Sequence, residues 1–331
     1  MKQNFLSKNF IFLILGQVSS LFGNYILRLA LSMYVLEITG SAAVFAGILS
    51  VAIIPTILLS PFGGILADRA NRRNIMVALD TLAGLSVLCS AVLMNKGNAL
   101  MVISILLVIL SILGAFETPT VQACVPQMQT GDNIIKGNAV INQAASISYL
   151  IGPMLGGILY TAFGLKPVML ASIICFFVTA LLECFIKLDY EKNRNHENIG
   201  SIVKHDVSVS MRFFAKEQPG ILKMLCLTAV SRFFVVGITI VGLPYIIRNI
   251  LGLSAKYYGA AESALAIATI AGSIAAGALV GKLRIRKLSL VLASIGIFIV
   301  PAGIAFLFPL SEITKYFIHI GSFCGMQIAV N

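Results

Sequence analysis

Charge is scarce in this chain. Only 11% of its 331 residues are charged, while 58% are hydrophobic, and the mean hydropathy is +0.96. A soluble domain carries roughly 25% charged residues. No water-soluble fold could cover this much apolar surface, so the composition implies a bilayer as solvent. Acids are scarcer than bases, 13 against 24, for a net charge of +11. A basic excess can serve nucleic acid or anionic lipid. Here the basic residues sit in short loops between apolar runs, without a patch of interleaved aromatics, which argues against nucleic acid. No polar stretch is long enough to fold a soluble domain of its own.

Chemical groups in clusters are also missing. The six cysteines (Cys89, Cys124, Cys175, Cys184, Cys226, Cys324) lie in or beside apolar segments and form no C-x-x-C pair. The histidines His196, His205 and His319 are scattered, so no metal site is expected. There is no G-x-x-x-x-G-K-[ST] loop, which argues against ATP-driven transport by this chain. A membrane-embedded enzyme would need His, Asp, Ser or Cys groups gathered within spans, and none are. A channel would show a filter-like polar ring or a re-entrant loop. Alternation of apolar and polar residues, the barrel signature, is absent too.

What is there is a series of apolar runs. They fall near residues 10–36, 41–66, 74–94, 99–124, 139–163, 166–187, 221–247, 257–280 and 288–309, and a tenth begins near 315 and is cut at Asn331. Each complete run can cross a core of about 30 Å as a helix, the one open-ended structure that satisfies its backbone in lipid. The first run is too long for a cleaved signal peptide. The expected fold class is therefore an all-α membrane protein with about nine complete spans and part of a tenth.

Loop charges orient the spans. With the N-terminus inside, the inner loops hold 17 Lys and Arg residues and the outer loops 5. That bias favours a cytoplasmic N-terminus and a multi-pass protein of the plasma membrane. Residues 188–220 form a long polar inner loop, in which Ser210–Glu217 has the pattern of a short surface helix. The expected organisation is a six-helix bundle over 1–187, a central loop over 188–220 and an incomplete second bundle over 221–331.

Two motifs carry a family resemblance. Between spans 2 and 3 stands Gly64-Ile65-Leu66-Ala67-Asp68-Arg69-Ala70-Asn71-Arg72-Arg73. Gly64 is expected to let helices approach closely, and Asp68 is an anion beside the fixed cations Arg69, Arg72 and Arg73. Asn71 is read as tolerating a left-handed turn. In span 5 stands Gly152-Pro153-Met154-Leu155-Gly156-Gly157, where Pro153 should kink the helix and Gly152, Gly156 and Gly157 allow tight packing. The first motif resembles the signature loop of the major facilitator superfamily, G-x-L-a-D-r-x-G-r-R. The second resembles the G-P-x-x-G-G core associated with its exporters. With Phe116-Glu117-Thr118-Pro119, the chain looks like the drug-efflux branch that contains macrolide-efflux-like and enterobactin-exporter-like proteins. The loop Gly277–Lys287 resembles a degenerate second copy of the first motif, with Gly281 in place of the acid. The resemblance implies a two-bundle fold of twelve spans, of which the last two would be missing here, including the helix against which the Asp68 loop is thought to work.

Ionisable and polar groups inside spans are the default functional candidates. Gln17, Ser20, Asn24 and Arg28 share one face of span 1. The resemblance implies that this face lines a substrate cavity, and Arg232 in span 7 is read as facing an acid or an anionic part of the substrate. Glu117 is the coupling candidate, because a carboxyl in an apolar setting can cycle between charged and neutral forms. Glu262 lies at the depth of Arg28, and the two could pair between bundles as a gate. Asp80 is assigned to the Asp68 network and Glu183 to the interface. The expected function is a secondary transporter that exports small amphipathic molecules by alternating access, using the proton gradient and no cofactor. Its partners would be the small-molecule substrate and the lipid bilayer. The competing readings are an uptake symporter and a non-transporting remnant. Neither substrate nor oligomeric state can be read from the residues.

Overall fold

The computed structural model describes residues 7–95, 97–188, 219–279 and 288–330. Ten helical segments fall on the ten apolar runs. They are α1 (Lys8–Thr39), α2 (Ala42–Arg69), α3 (Arg72–Leu93), α4 (Ala99–Met128), α5 (Asp132–Phe163), α6 (Leu165–Cys184), α7 (Pro219–Gly237 and onward to Ile250), α8 (Ala255–Leu279), α9 (Leu288–Ile304) and α10 (Glu312–Val330). Among the described residues, seven helices are long and apolar enough to cross a membrane: Lys8–Thr39, Ala42–Ala67, Arg72–Leu93, Ala99–Met128, Asn133–Phe163, Leu165–Cys184 and Cys226–Ile250. Helix α5 starts well before its apolar run, because its polar first turns (Asn133, Lys136, Asn138) continue the helix beyond the apolar stretch.

Side chains at the helix starts supply the bonds that lipid cannot. Ser7 accepts from Phe10 N, Ser41 from Val44 N and Asn71 from Asn74 N. Gly40, at φ +59°, closes the end of α1 in the left-handed conformation, where its N–H reaches Leu36 O. Helix α7 departs from ideal geometry. It passes through a π-helical turn at Ile238–Gly242, a short α segment at Leu243–Tyr245 and a second π turn at Ile246–Ile250.

The first six helices pack in a series of neighbours: α2 on α4, α4 on α3, α3 on α6, α6 on α1 and α1 on α5. In the second half α8 packs on α10 and α10 on α9. The halves join chiefly along α5 and α8, with α1 also touching the last turns of α7. Leu27, Leu31, Met33, Ile103, Leu106, Met169 and Phe176 anchor the main core, while Phe10, Leu13, Met76 and Val125 form a second cluster. Many large apolar side chains point outward, as on Val92, Phe233 and Leu307, which suits a lipid-facing surface. The end of the molecule holding Lys8, Arg69, Arg72 and Arg73 is called the basic end below, and the opposite end the far end. The central loop segment 189–218, with the expected Ser210–Glu217 helix, and the loop 280–287 lie outside the described residues.

Candidate functional site

Glycines on α5 set both its packing on α1 within the first half and its seam with α8 in the second. A Cβ on Gly152 would lie 2.7 Å from Tyr25 Cβ, one on Gly156 3.0 Å from Ile26 O, and one on Gly157 2.6 Å from Ala255 O. Across the seam, a Cβ on Gly259 would collide with the carbonyl of Pro153. The G-P-x-x-G-G motif thus presses α5 onto α1 on one side and α8 on the other. Ser263 Oγ adds a hydrogen bond from α8 to Leu150 O.

Polar and aromatic groups gather beside this seam. Tyr25 of α1 and Tyr149 of α5 meet edge to face, with ring centroids 5.4 Å apart. Tyr258 donates to Glu262 Oε1 at 2.7 Å, one turn along α8. Arg28 lies within electrostatic reach of Glu262 and Tyr25, and Glu262 within reach of Tyr149. Arg28 is exposed, while Gln17 and Asn24 are half-buried on the same helix. The expected levelling of Arg28 with Glu262 therefore places the two side chains in one neighbourhood, with Tyr258 as the direct partner of Glu262. Arg232 belongs to α7, and its side chain lies outside the described part.

Ser20 departs from the cavity-lining expectation. It is 1% exposed and turns into the N-terminal bundle, because α1 there is enclosed by its neighbours. Its hydroxyl lies 2.8 Å from Asp80 Oδ1 on α3 and 3.2 Å from Glu117 Oε1 on α4. Asp80 in turn stands against Glu183 on α6, and each leaves one buried oxygen without a described donor. Asp80 is 2% and Glu183 3% exposed, whereas Glu117 is half-buried. The interfacial reading of Glu183 is corrected: it sits one helix layer inside, packed near Gly16 of α1. Asp80, assigned above to the Asp68 network, has Ser20 and Glu183 as its partners.

The signature loop is held by its arginines. Arg72 Nε donates to Ala67 O at 2.7 Å, and Arg73 Nη2 donates to Cys184 O at 2.5 Å, fastening the loop to α2 and α6. Arg69 ends α2, and the side chain of Asp68 lies outside the described part. Two expectations about this loop are corrected. Asn71 is not left-handed: its φ is −68° and it caps α3. Gly64 has no described atom within 4 Å of a built Cβ, whereas at its neighbour Gly63 a Cβ would collide with Ala115 O and meet Pro119 Cγ at 3.0 Å. The close approach of α2 to α4 is therefore made one residue earlier than expected.

A further contact joins the halves at the far end and has no counterpart in the sequence reading. Glu37 Oε2, near the end of α1, accepts from Tyr160 Oη at 2.8 Å and from Arg248 Nη2 at 3.0 Å. Thr161 Oγ1 accepts from Lys256 N at 3.1 Å. A cavity of about 380 Å³ lies beside them, lined in part by Tyr34, Thr161, Leu165 and Ser254.

Two sets of packed helices that meet along a glycine seam, with aromatic and charged side chains gathered at the junction, define a multi-pass membrane protein of transporter architecture. The model of the Major Facilitator Superfamily matches residues 13–330, and the chain belongs to that superfamily. Family membership makes it a transporter-class protein rather than an enzyme. The relatives it matches include Macrolide efflux protein A of Streptococcus pyogenes, 26% identical over 174 residues, which are 52% of this chain and 43% of that protein. The Staphyloferrin A transporter of Staphylococcus aureus is 28% identical over 163 residues, 48% of this chain and 41% of that one. Multidrug resistance protein MdtG of Escherichia coli is 31% identical over 158 residues, 45% of this chain and 38% of that one. The matched stretch thus spans less than half the length of these relatives. In fold, the chain is similar to a D-xylose-proton symporter, with a TM-score of 0.70 at 14% identity, covering 96% of this chain and 80% of that one. It is also similar to a bacterial homologue of ferroportin, with a TM-score of 0.69 at 16% identity, covering 98% and 81%.

Proposed function

We propose that this chain is a secondary active transporter that exports small amphipathic molecules by alternating access, driven by the proton gradient. In this reading it lies in the plasma membrane with its basic end, and so its N-terminus, in the cytoplasm. The observation that carries the proposal is the junction cluster of Tyr25, Arg28, Tyr149, Tyr258 and Glu262. Aromatic faces beside one cation and one carboxyl suit a molecule that is part apolar and part charged. The cluster also straddles the two halves, as an alternating-access site must. Support for the outward direction comes from relatives named for macrolide efflux and multidrug resistance and from the G-P-x-x-G-G seam. Support for proton coupling comes from Glu117, a carboxyl held in the span by Ser20 and within electrostatic reach of Tyr25. The signature loop, through Asp68, Arg69, Arg72 and Arg73, would couple movement of α2 to that of α6.

Cells expressing the chain and loaded with a fluorescent amphipathic dye test the proposal. The expected result is efflux above an Asp68→Asn control that collapses when a protonophore is added, and that Glu117→Gln abolishes. Efflux that persists under the protonophore would overturn the coupling, and dye accumulation in place of efflux would overturn the direction.

A further inference from the structure

The contacts around Ser20 contain more bonds than the hydroxyl alone can make. A serine hydroxyl carries one proton, so it can donate to one oxygen at a time. Asp80 Oδ1 and Glu117 Oε1 both lie within hydrogen-bond distance of it. A proton on one of those two carboxyls, donated to the serine oxygen, would fill the second contact. The contact between Asp80 and Glu183 poses the same requirement, because two carboxylates offer only acceptors. Asp80 Oδ2 and Glu183 Oε2 are buried and receive no hydrogen from any described hydroxyl, amide or cation. A buried oxygen so placed is costly unless a proton bridges the pair.

The surroundings do not remove this requirement. The titratable or charged groups facing the three carboxyls from the packed helices are Tyr25 on α1, Arg72 and Arg73 on α3, Cys124 on α4 and Cys184 on α6. Arg73 Nη2 is engaged by Cys184 O, and Arg72 Nε by Ala67 O. Among the described residues no ion pair reaches Asp80, Glu117 or Glu183.

We propose that Glu117, Ser20, Asp80 and Glu183 form a proton wire through the interior of the N-terminal bundle, from the junction of the two halves to the basic end. It rests on the proton-coupled reading above and gives that reading a route. Three hydrogen bonds link the four side chains, and they are filled by the serine proton and two carboxyl protons. One carboxyl is then left as the anion. With the charge on Glu183, Glu117 donates to Ser20, Ser20 to Asp80 and Asp80 to Glu183. Moving the Asp80 proton to Glu183 shifts the charge to Asp80. Ser20 then passes its proton to Asp80 and takes the proton of Glu117, which leaves the charge there. Each step breaks one O–H bond and forms one, so the total is conserved. Glu117 lies within electrostatic reach of Tyr25 at the junction, and Glu183 lies in the last turn of α6, next to Cys184, whose carbonyl holds Arg73. A proton taken up at one end of the wire is thereby matched by one released at the other.

Infrared spectroscopy of the purified full chain reads this directly. Because two of the three carboxyls carry protons, at least one of Asp80→Asn and Glu183→Gln should remove a protonated-carboxyl carbonyl band, and Ser20→Ala should displace the band belonging to Glu117. In proteoliposomes, Ser20→Ala should lower gradient-driven dye efflux on the order of a hundredfold, the low end of what a positioned acid–base group contributes. Ser20→Thr, which keeps the hydroxyl, should restore it. If neither Asp80→Asn nor Glu183→Gln removes a carboxyl band, the wire is wrong whatever the transport result. Gradient-driven efflux left unchanged by Ser20→Ala would also overturn it. Loss of the bands in a chain whose efflux ignores the gradient would support the shared protons and overturn the coupled reading instead.

Discussion

The two halves are held together by two kinds of contact, and these differ in almost every physical respect. The seam of α5 with α8 is made of backbone and small side chains at Gly157 and Gly259. The far-end clasp is made of Glu37, Tyr160 and Arg248, whose charged side chains are partly open, at 49% for Glu37 and 27% for Arg248. Contact of the first kind depends on shape, is insensitive to salt and admits no added atom. Contact of the second kind is directional, screened by salt and replaceable by water. In the proposed alternating-access reading, a protein that rocks about one line and opens along another needs both, a pivot that holds and a fastening that yields.

Breaking the pivot should have the largest effect. Gly157→Val forces a branched side chain against Ala255 O, where even a Cβ would sit at 2.6 Å. Overpacking of this kind costs about 1–3 kcal/mol, and here no flexible neighbour can give way. The variant should show the lowest melting temperature of this set in detergent and no dye efflux. A melting temperature equal to that of the unsubstituted chain would mean that the seam is looser than its geometry.

Gly40→Ala should come next. Its φ of +59° closes α1 at the clasp, and a side chain in that conformation costs about 1–2 kcal/mol. Thermal unfolding should show that loss, and Gly40→Asn should recover part of it, since asparagine tolerates the left-handed region.

The smallest effect should belong to the ion pair itself. A double-mutant cycle of Glu37→Gln and Arg248→Gln should give a coupling below about 1 kcal/mol, because both groups are partly exposed. The coupling should shrink further at high ionic strength, whereas the loss in Gly157→Val should not respond to salt. A coupling that survives high salt would show the clasp to be as dry as the seam.

The contrast also explains what could be read from the residues. Apolar runs, inner-loop basic residues and the G-P-x-x-G-G motif act locally or through composition, so the ten helices and the tight face of α5 were legible. Counting depth set Arg28 level with Glu262, and the two lie within electrostatic reach of each other. The shared face misled for Ser20, because a polar stripe on one helix does not reveal which neighbour covers which part of it. The partners of Ser20 lie 60 and 97 positions away, on helices whose order in the series no periodicity encodes. Glu183 and Glu37 were hidden for a similar reason. Each stands near a span end, where a charge is expected to meet water, and only packing shows that one is buried and the other bridged to Arg248, 211 positions along. Asn71 misled through its chemistry: the side chain that tolerates a left-handed turn is equally one that caps a helix, and the cap is what it forms.

The π turns of α7 have a bearing on how relatives of this chain are compared. Each such turn takes up one residue more than an α turn, about 100° of rotation around the axis. Two of them stand between Gly237 and Leu251. A helical wheel drawn from Pro219 with uniform spacing would therefore misplace Arg248 by about 100° or more around the axis. Removing a single residue within this stretch would turn Arg248 off its line to Glu37. Insertions and deletions there are thus a more telling record of whether the clasp is kept than the identity of the arginine.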